Sequence, residues 1–195
     1  IATEKNGTDP RAWALLGQAN YQWGENERAI QCYNHAIELL PNEASFYYDL
    51  GLIYETSDLW DAAIQQYHRA AKIDPSNTLY RVSIGYVLSK SGEYKEGISI
   101  LEQCILEEPE NISWKRELGR IYCDNALSGW TFFSNNWYPT QIQHLQHTEQ
   151  AIKKAEKLLP DDLELKTDID KVKKDLKIGY SRKFIGNYLV PLIIG

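Results

Sequence analysis

The 195-residue sequence contains no methionine, only three cysteines and no glycine-rich phosphate loop. Cys32, Cys104 and Cys123 are odd in number, widely spaced and form no CxxC, which argues against a disulfide framework or a zinc site and points to structural thiols in a reducing cytosol. Histidine is nearly as scarce, at four residues. His144 and His147 share a helix face at i, i+3 but have no Cys or carboxylate at matching spacing, and His35 and His68 read as surface residues. No GxSxG or Cys–His nucleophile pattern occurs, so the chain reads as a non-enzyme with no catalytic residues, no metal and no cofactor. Apolar runs are short as well. The longest, Phe184–Gly195, is too short to cross a bilayer, which takes roughly 20 residues. An excess of positive charge is also missing. At a formal net charge of −6, the protein repels phosphate backbones, and nucleic acid is not expected as a partner.

What is present describes a folded protein. A hydrophobic fraction of 43% with 25% charged residues is ordinary for a globular domain and argues against disorder. Six Trp and 13 Tyr need burial or a binding surface. A start at Ile1 with no Met reads as a fragment or processed product.

Periodicity is the dominant signal. Gly17, Gly51, Gly85 and Gly119 recur every 34 residues, as do Pro41, Pro75 and Pro109, Ala36, Ala70 and Cys104, and Tyr33, Tyr67 and Leu101. Each unit reads as two helices. In the first, Trp13, Leu16, Gly17 and Tyr21 mark helix A, and Gly24-Glu25-Asn26 the turn. Ala29, Ile30, Tyr33, Ala36, Ile37 and Leu40 then mark helix B at spacings of three and four, and Pro41 ends it because proline cannot continue the ladder. The small residues let paired helices approach closely.

These columns (Trp13, Leu16-Gly17, Gly24, Ala29, Tyr33, Ala36, Pro41, and their counterparts through Pro109) resemble the tetratricopeptide repeat family over residues 10–111. The resemblance implies an all-α fold: a right-handed α-solenoid of antiparallel helix hairpins, with three regular repeats (10–43, 44–77, 78–111), one interrupted repeat (112–160) and a C-terminal capping helix over 161–179. The fourth unit departs from the pattern. From Gly119 to Ala155 is 36 residues, against 19 from Gly17 to Ala36, so 17 extra residues lie around 124–148, with helix B expected to restart at Pro139-Thr140.

The resemblance further implies a protein-interaction scaffold whose A helices line a concave groove. The expected partner-binding residues are Gln18, Tyr21, Tyr48, Asp49, Leu52, Leu79, Val82 and Tyr86, with Arg116 and Arg120 at the fourth-repeat end. A tyrosine-rich centre and an arginine rim suit a partner protein or peptide with apolar anchors and an acidic end. A chaperone carboxylate clamp is not expected, since its positions hold Ala14, Gln18, Asp49, Leu79 and Ser83. The aromatic insertion offers a second candidate surface through Trp130, Phe133 and Trp137. The tail, 184–195, leaves three readings open: packing on the chain itself, insertion into a groove of its own or another copy as a homo-oligomer, or the start of a membrane helix on a cytoplasmic domain, for which Arg182-Lys183 would be the positive flank.

Overall fold

The computed structural model describes residues 8–131 and 138–183, with side-chain surroundings for 8–128 and 147–174. The described residues are helices joined by short turns, in two compact units split between Glu108 and Pro109.

The first unit holds three helix hairpins: α1 (Pro10–Gln22) with α2 (Asn26–Leu39), α3 (Ala44–Thr56) with α4 (Trp60–Ile73), and α5 (Thr78–Ser91) with α6 (Tyr94–Glu107). Local chemistry sets the boundaries. The Asp9 carboxylate accepts from the Arg11 backbone N–H at 2.9 Å, with Pro10 in the first turn, and Asn77 caps Leu79 in the same way at 3.1 Å. Between the helices of each hairpin one residue takes positive φ: Gly24 at 78°, Asp58 at 56° and Gly92 at 100°. These three positions are again 34 apart. Left-handed backbone breaks the helix so that the chain can reverse.

A close glycine contact clamps each hairpin. A Cβ on Gly17 would stand 2.8 Å from Tyr33 Cδ2, one on Gly51 2.5 Å from Tyr67 Cε1, and one on Gly85 2.9 Å from Leu101 Cγ. The helix-A glycine is therefore the floor on which the large helix-B residue lies. Tyr67 and Leu101 are wholly buried, as are Ala29, Ala63, Ala36, Ala70 and Cys104. The tyrosine hydroxyls are satisfied on α3: Tyr33 donates to Asp49 Oδ2 at 3.1 Å and Tyr67 to Glu55 Oε2 at 2.6 Å. Thirty-four residues on from Tyr67 and Glu55 stand Leu101 and Ser89. Where the phenol is lost its acceptor is lost too, and Ser89 instead donates to the Gly85 carbonyl at 2.8 Å.

The second unit holds α7 (Ile112–Thr131), α8 (Tyr138–Leu158) and α9 (Leu163–Lys183). The first two are 20 and 21 residues long, against 13 or 14 for the helices of the first unit. The described part of the expected insertion is thus helix and not loop. It lengthens α7 and α8, and α8 begins at Tyr138, one residue before Pro139. The column of Gly24, Asp58 and Gly92 continues at Ala126, which is buried inside α7. With no left-handed residue at the usual turn, the helix runs on. The hairpin register shifts with it: Thr148 Oγ1 donates to the Ala126 carbonyl at 3.3 Å, whereas Gly97, at the equivalent place in α6, faces Gly85 and Ser89.

The shift frees the glycine site for another helix. A Cβ on Gly119 would meet Leu165 Cδ1 at 2.6 Å, so α9 supplies the side chain that helix B supplies elsewhere. Leu165 is wholly buried, a placement that stabilises by roughly 1.5–3 kcal/mol. Charges fix the same approach. Asp162 Oδ2 accepts from Arg116 Nη2 at 2.7 Å while Oδ1 caps the Leu165 N–H at 2.9 Å, and Arg120 pairs with Glu164 and with Asp168 at 3.2 Å.

Two measurements test these contacts. Urea unfolding of Gly51→Ala is expected to show a loss of about 1–3 kcal/mol, because the buried Tyr67 ring has nowhere to move, whereas Asp58→Gly is expected to gain roughly 0.5–1 kcal/mol by relieving left-handed backbone. Amide hydrogen exchange of Asp162→Ala is expected to lose protection in α9 while amides of residues 10–107 keep theirs. Unchanged protection in α9 would show that Asp162 does not hold the helix.

Candidate functional site

The expected groove residues fall on the A helices, and within the first unit the structure sorts them by exposure. Gln18 and Leu79 are exposed, while Tyr21, Tyr48, Asp49, Leu52 and Tyr86 are half-buried. Val82 is a correction: at 8% exposure it belongs to the core and offers a partner little surface. Tyr48 is partly structural as well. Its ring packs 5.6 Å from that of Tyr67 and 5.4 Å from that of Tyr80, bridging the second and third hairpins. Lys90 places its ammonium 5.2 Å from the centre of the Tyr86 ring.

A cleft of about 370 Å³ opens between α1 and α3. Gln18 lines it from α1 and Asp49 from α3, both expected to bind a partner, together with Arg11 and Ala14 of α1 and Ser45 of α3. Tyr33, Phe46, Leu15 and Glu43 complete the walls. Leu15 and Glu43 carried no sequence signal; their part comes from the spacing of the two helices.

In the second unit, Arg116 and Arg120 do grip carboxylates, but those of their own chain. Asp162 and Glu164 hold Arg116, and Glu164 and Asp168 hold Arg120. Cys123, on the same face of α7, is buried, and burial pushes its thiol up to about 11, which makes it inert near neutral pH. Cys32 and Cys104 are likewise buried free thiols. Trp130 lies in α7 with its surroundings outside the described side chains, and Phe133, Trp137 and the tail 184–195 lie outside the described residues. Among the described residues no helix is long and apolar enough to cross a membrane. His35, read as surface from the sequence, sets its ring edge-on to Trp13 at 4.4 Å.

Two acids on α3 sit against solvation. Burial raises the Asp49 carboxyl above the ordinary carboxylate range, and the Tyr33 hydroxyl pulls it partly back. Burial raises Glu55 in the same way, opposed by the Tyr67 hydroxyl and by Lys90. Asp162 is the opposite case: the Arg116 hydrogen bond, and then the Leu165 N–H, hold it below the ordinary range. The signs separate the sites. A raised folded-state acid binds its proton more tightly in the native state, so its contribution to stability falls as pH rises through the raised value. Asp162 contributes above the ordinary carboxylate range and loses its contribution as pH falls through the depressed value. Asp49→Asn is therefore expected to be more stable than the parent at neutral pH, the difference closing as pH falls to about 4, which thermal unfolding across pH measures.

A family model described as TPR repeat matches residues 17–58, and one described as Tetratricopeptide repeat matches residues 44–77 and 80–111. No curated protein matches the sequence. Among solved structures, the chain is similar to a MamA protein at 20% identity, over 97% of this chain and 83% of that one, with a TM-score of 0.61. It is similar to a MamA from Desulfovibrio magneticus RS-1 at 17% identity, over 88% and 93%, with a TM-score of 0.60. The TPR domain of OM64 from Arabidopsis aligns at 22% identity, over 57% and 93%, with a TM-score of 0.54. At these identities the structures speak for the fold alone: hairpins of an all-α repeat solenoid. Tetratricopeptide repeats bind protein partners and are in general non-catalytic scaffolds. With two family models on residues 17–77 and 80–111 and the 34-residue glycine columns beneath them, this part of the chain is built of tetratricopeptide repeats.

Proposed function

We propose that this protein is an interaction scaffold that binds a peptide or helix of a partner protein along the A-helix face of its first unit. The observation that carries this reading is the cleft between α1 and α3, whose lining includes Gln18 and Asp49, two of the residues expected to bind a partner. Exposed Gln18 and Leu79 and half-buried Tyr21, Leu52 and Tyr86 supply contacts on the same three A helices. Tyrosines of this kind bury area at low entropy cost and keep a hydroxyl for hydrogen bonding.

The second unit bears on the chemistry of the partner. An acidic end seeking Arg116 and Arg120 must displace Asp162, Glu164 and Asp168, carboxylates already in place on α9. That competition favours a partner held by the first unit. Charge agrees. Residues 8–108 carry 15 Asp and Glu against 7 Lys and Arg, whereas residues 109–195 carry 11 against 13. An acidic surface steers basic segments toward it.

The test is affinity capture from source-cell lysate read by mass spectrometry, comparing the parent with Gln18→Glu, Leu79→Glu. Both positions are exposed, so the fold is retained and circular dichroism checks it. Specific proteins lost with the variant identify the partners. Identical lists would move the working surface away from these helices, to the aromatic segment or to the tail.

A further inference from the structure

The cleft between α1 and α3 is mixed in chemistry. Ala14, Leu15 and Phe46 give it apolar lining, and Asp49 lines it too, with the Tyr33 hydroxyl on one carboxylate oxygen at 3.1 Å. Among the described residues no Lys or Arg pairs with Asp49. The contrast with other acids is plain: Asp162 is held by Arg116, Glu107 by Arg81, and Glu55 feels Lys90. A half-buried carboxylate without a counter-charge is costly, and a cation brought beside it offsets that cost. Glu43 adds a second negative charge to the lining. Arg11 is the opposing charge; it is exposed, and no carboxylate of the described residues holds its guanidinium.

We propose that this cleft takes the lysine or arginine side chain of the partner segment, with the methylene stem against Ala14, Leu15 and Phe46 and the charged head on Asp49. Long basic side chains have this two-part character, an apolar stem and a charged head, and the lining offers both apolar side chains and a carboxylate. The volume of about 370 Å³ lies at the small end of ligand pockets, roughly 300–1,000 Å³, which suits one side chain better than a whole cofactor. The inference rests on the groove reading of the proposed function and narrows it: the segment carries a basic anchor near its contact with the first two hairpins.

The experiment selects binders to the full chain from a random twelve-residue peptide library displayed on phage, in parallel with Asp49→Asn and with Asp61→Asn. Asparagine at 49 keeps the shape and an acceptor for Tyr33. Asp61 is an exposed residue of α4, so its change alters net charge by the same amount away from the cleft. The expected result is one position enriched in Lys or Arg for the parent and for Asp61→Asn, and no such position for Asp49→Asn. Replacing that residue by norleucine in a selected peptide is then expected to weaken binding about tenfold to the parent and to leave binding to Asp49→Asn unchanged. Equal loss for both proteins, or selected peptides with no basic position, overturns the cation site while leaving the groove intact, provided those peptides are lost in Gln18→Glu, Leu79→Glu. Peptides indifferent to that double variant, or no peptides at all, overturn the groove reading together with it.

Discussion

The Tyr67 ring lies so near the Gly51 backbone that even one methyl group would collide with it, and the same contact recurs at Gly17 with Tyr33 and at Gly85 with Leu101. Much of the first unit depends on this approach. It fixes how deeply each B helix settles on its A helix. That depth buries the flanking alanines completely. It also carries the phenol hydroxyls of Tyr33 and Tyr67 to Asp49 and Glu55 on α3. Interiors packed to crystal-like density tolerate little variation at such points. A repeat of 34 residues is the sequence record of one contact made three times.

The fourth hairpin lacks one part of the pattern, and its packing changes accordingly. Its glycine is present at Gly119, but the left-handed turn residue is replaced by Ala126. Alanine favours helix, so α7 continues and α8 meets it in a shifted register. The glycine floor is then left for α9, and Leu165 fills it. Asp162 has two roles in this docking, since one carboxylate starts α9 and anchors Arg116. A helix that reads in sequence as a simple polar-backed cap is therefore a functional substitute for a B-helix side chain.

Much of this was legible in the sequence, and the limits have physical causes. The hairpins, the turn at Gly24 and the closing prolines emerge from spacing alone, because each reflects a local backbone requirement. The extension of α7 was legible in principle, since Ala126 stands in the column of Gly24, Asp58 and Gly92; the length of the 17 extra residues suggests a loop, whereas the missing turn residue points to a longer helix. Partners of charged residues were beyond reach. Arg116 and Arg120 are identifiable as groove positions by register, but that Asp162, Glu164 and Asp168 reach them depends on where α9 docks, and α9 docks where it does because of the register shift. The same register assigns Val82 to the groove, yet it lies in the core. The cleft at Asp49 is likewise a product of the gap between two helices.

On the proposed reading, function rests on the A-helix face of the first unit, where a hollow and a half-buried carboxylate coincide. Such a face does its work by contact, and contact can be read directly. The most direct measurement places a photo-crosslinking amino acid at Gln18 or Leu79 on the A helices, and at Gln31 or Gln65 on the exposed side of the B helices, and irradiates source cells. A working A-helix face predicts a discrete crosslinked partner from the A-helix positions and none from the B-helix positions. Crosslinks of equal yield from both faces, or from the B helices alone, would contradict it.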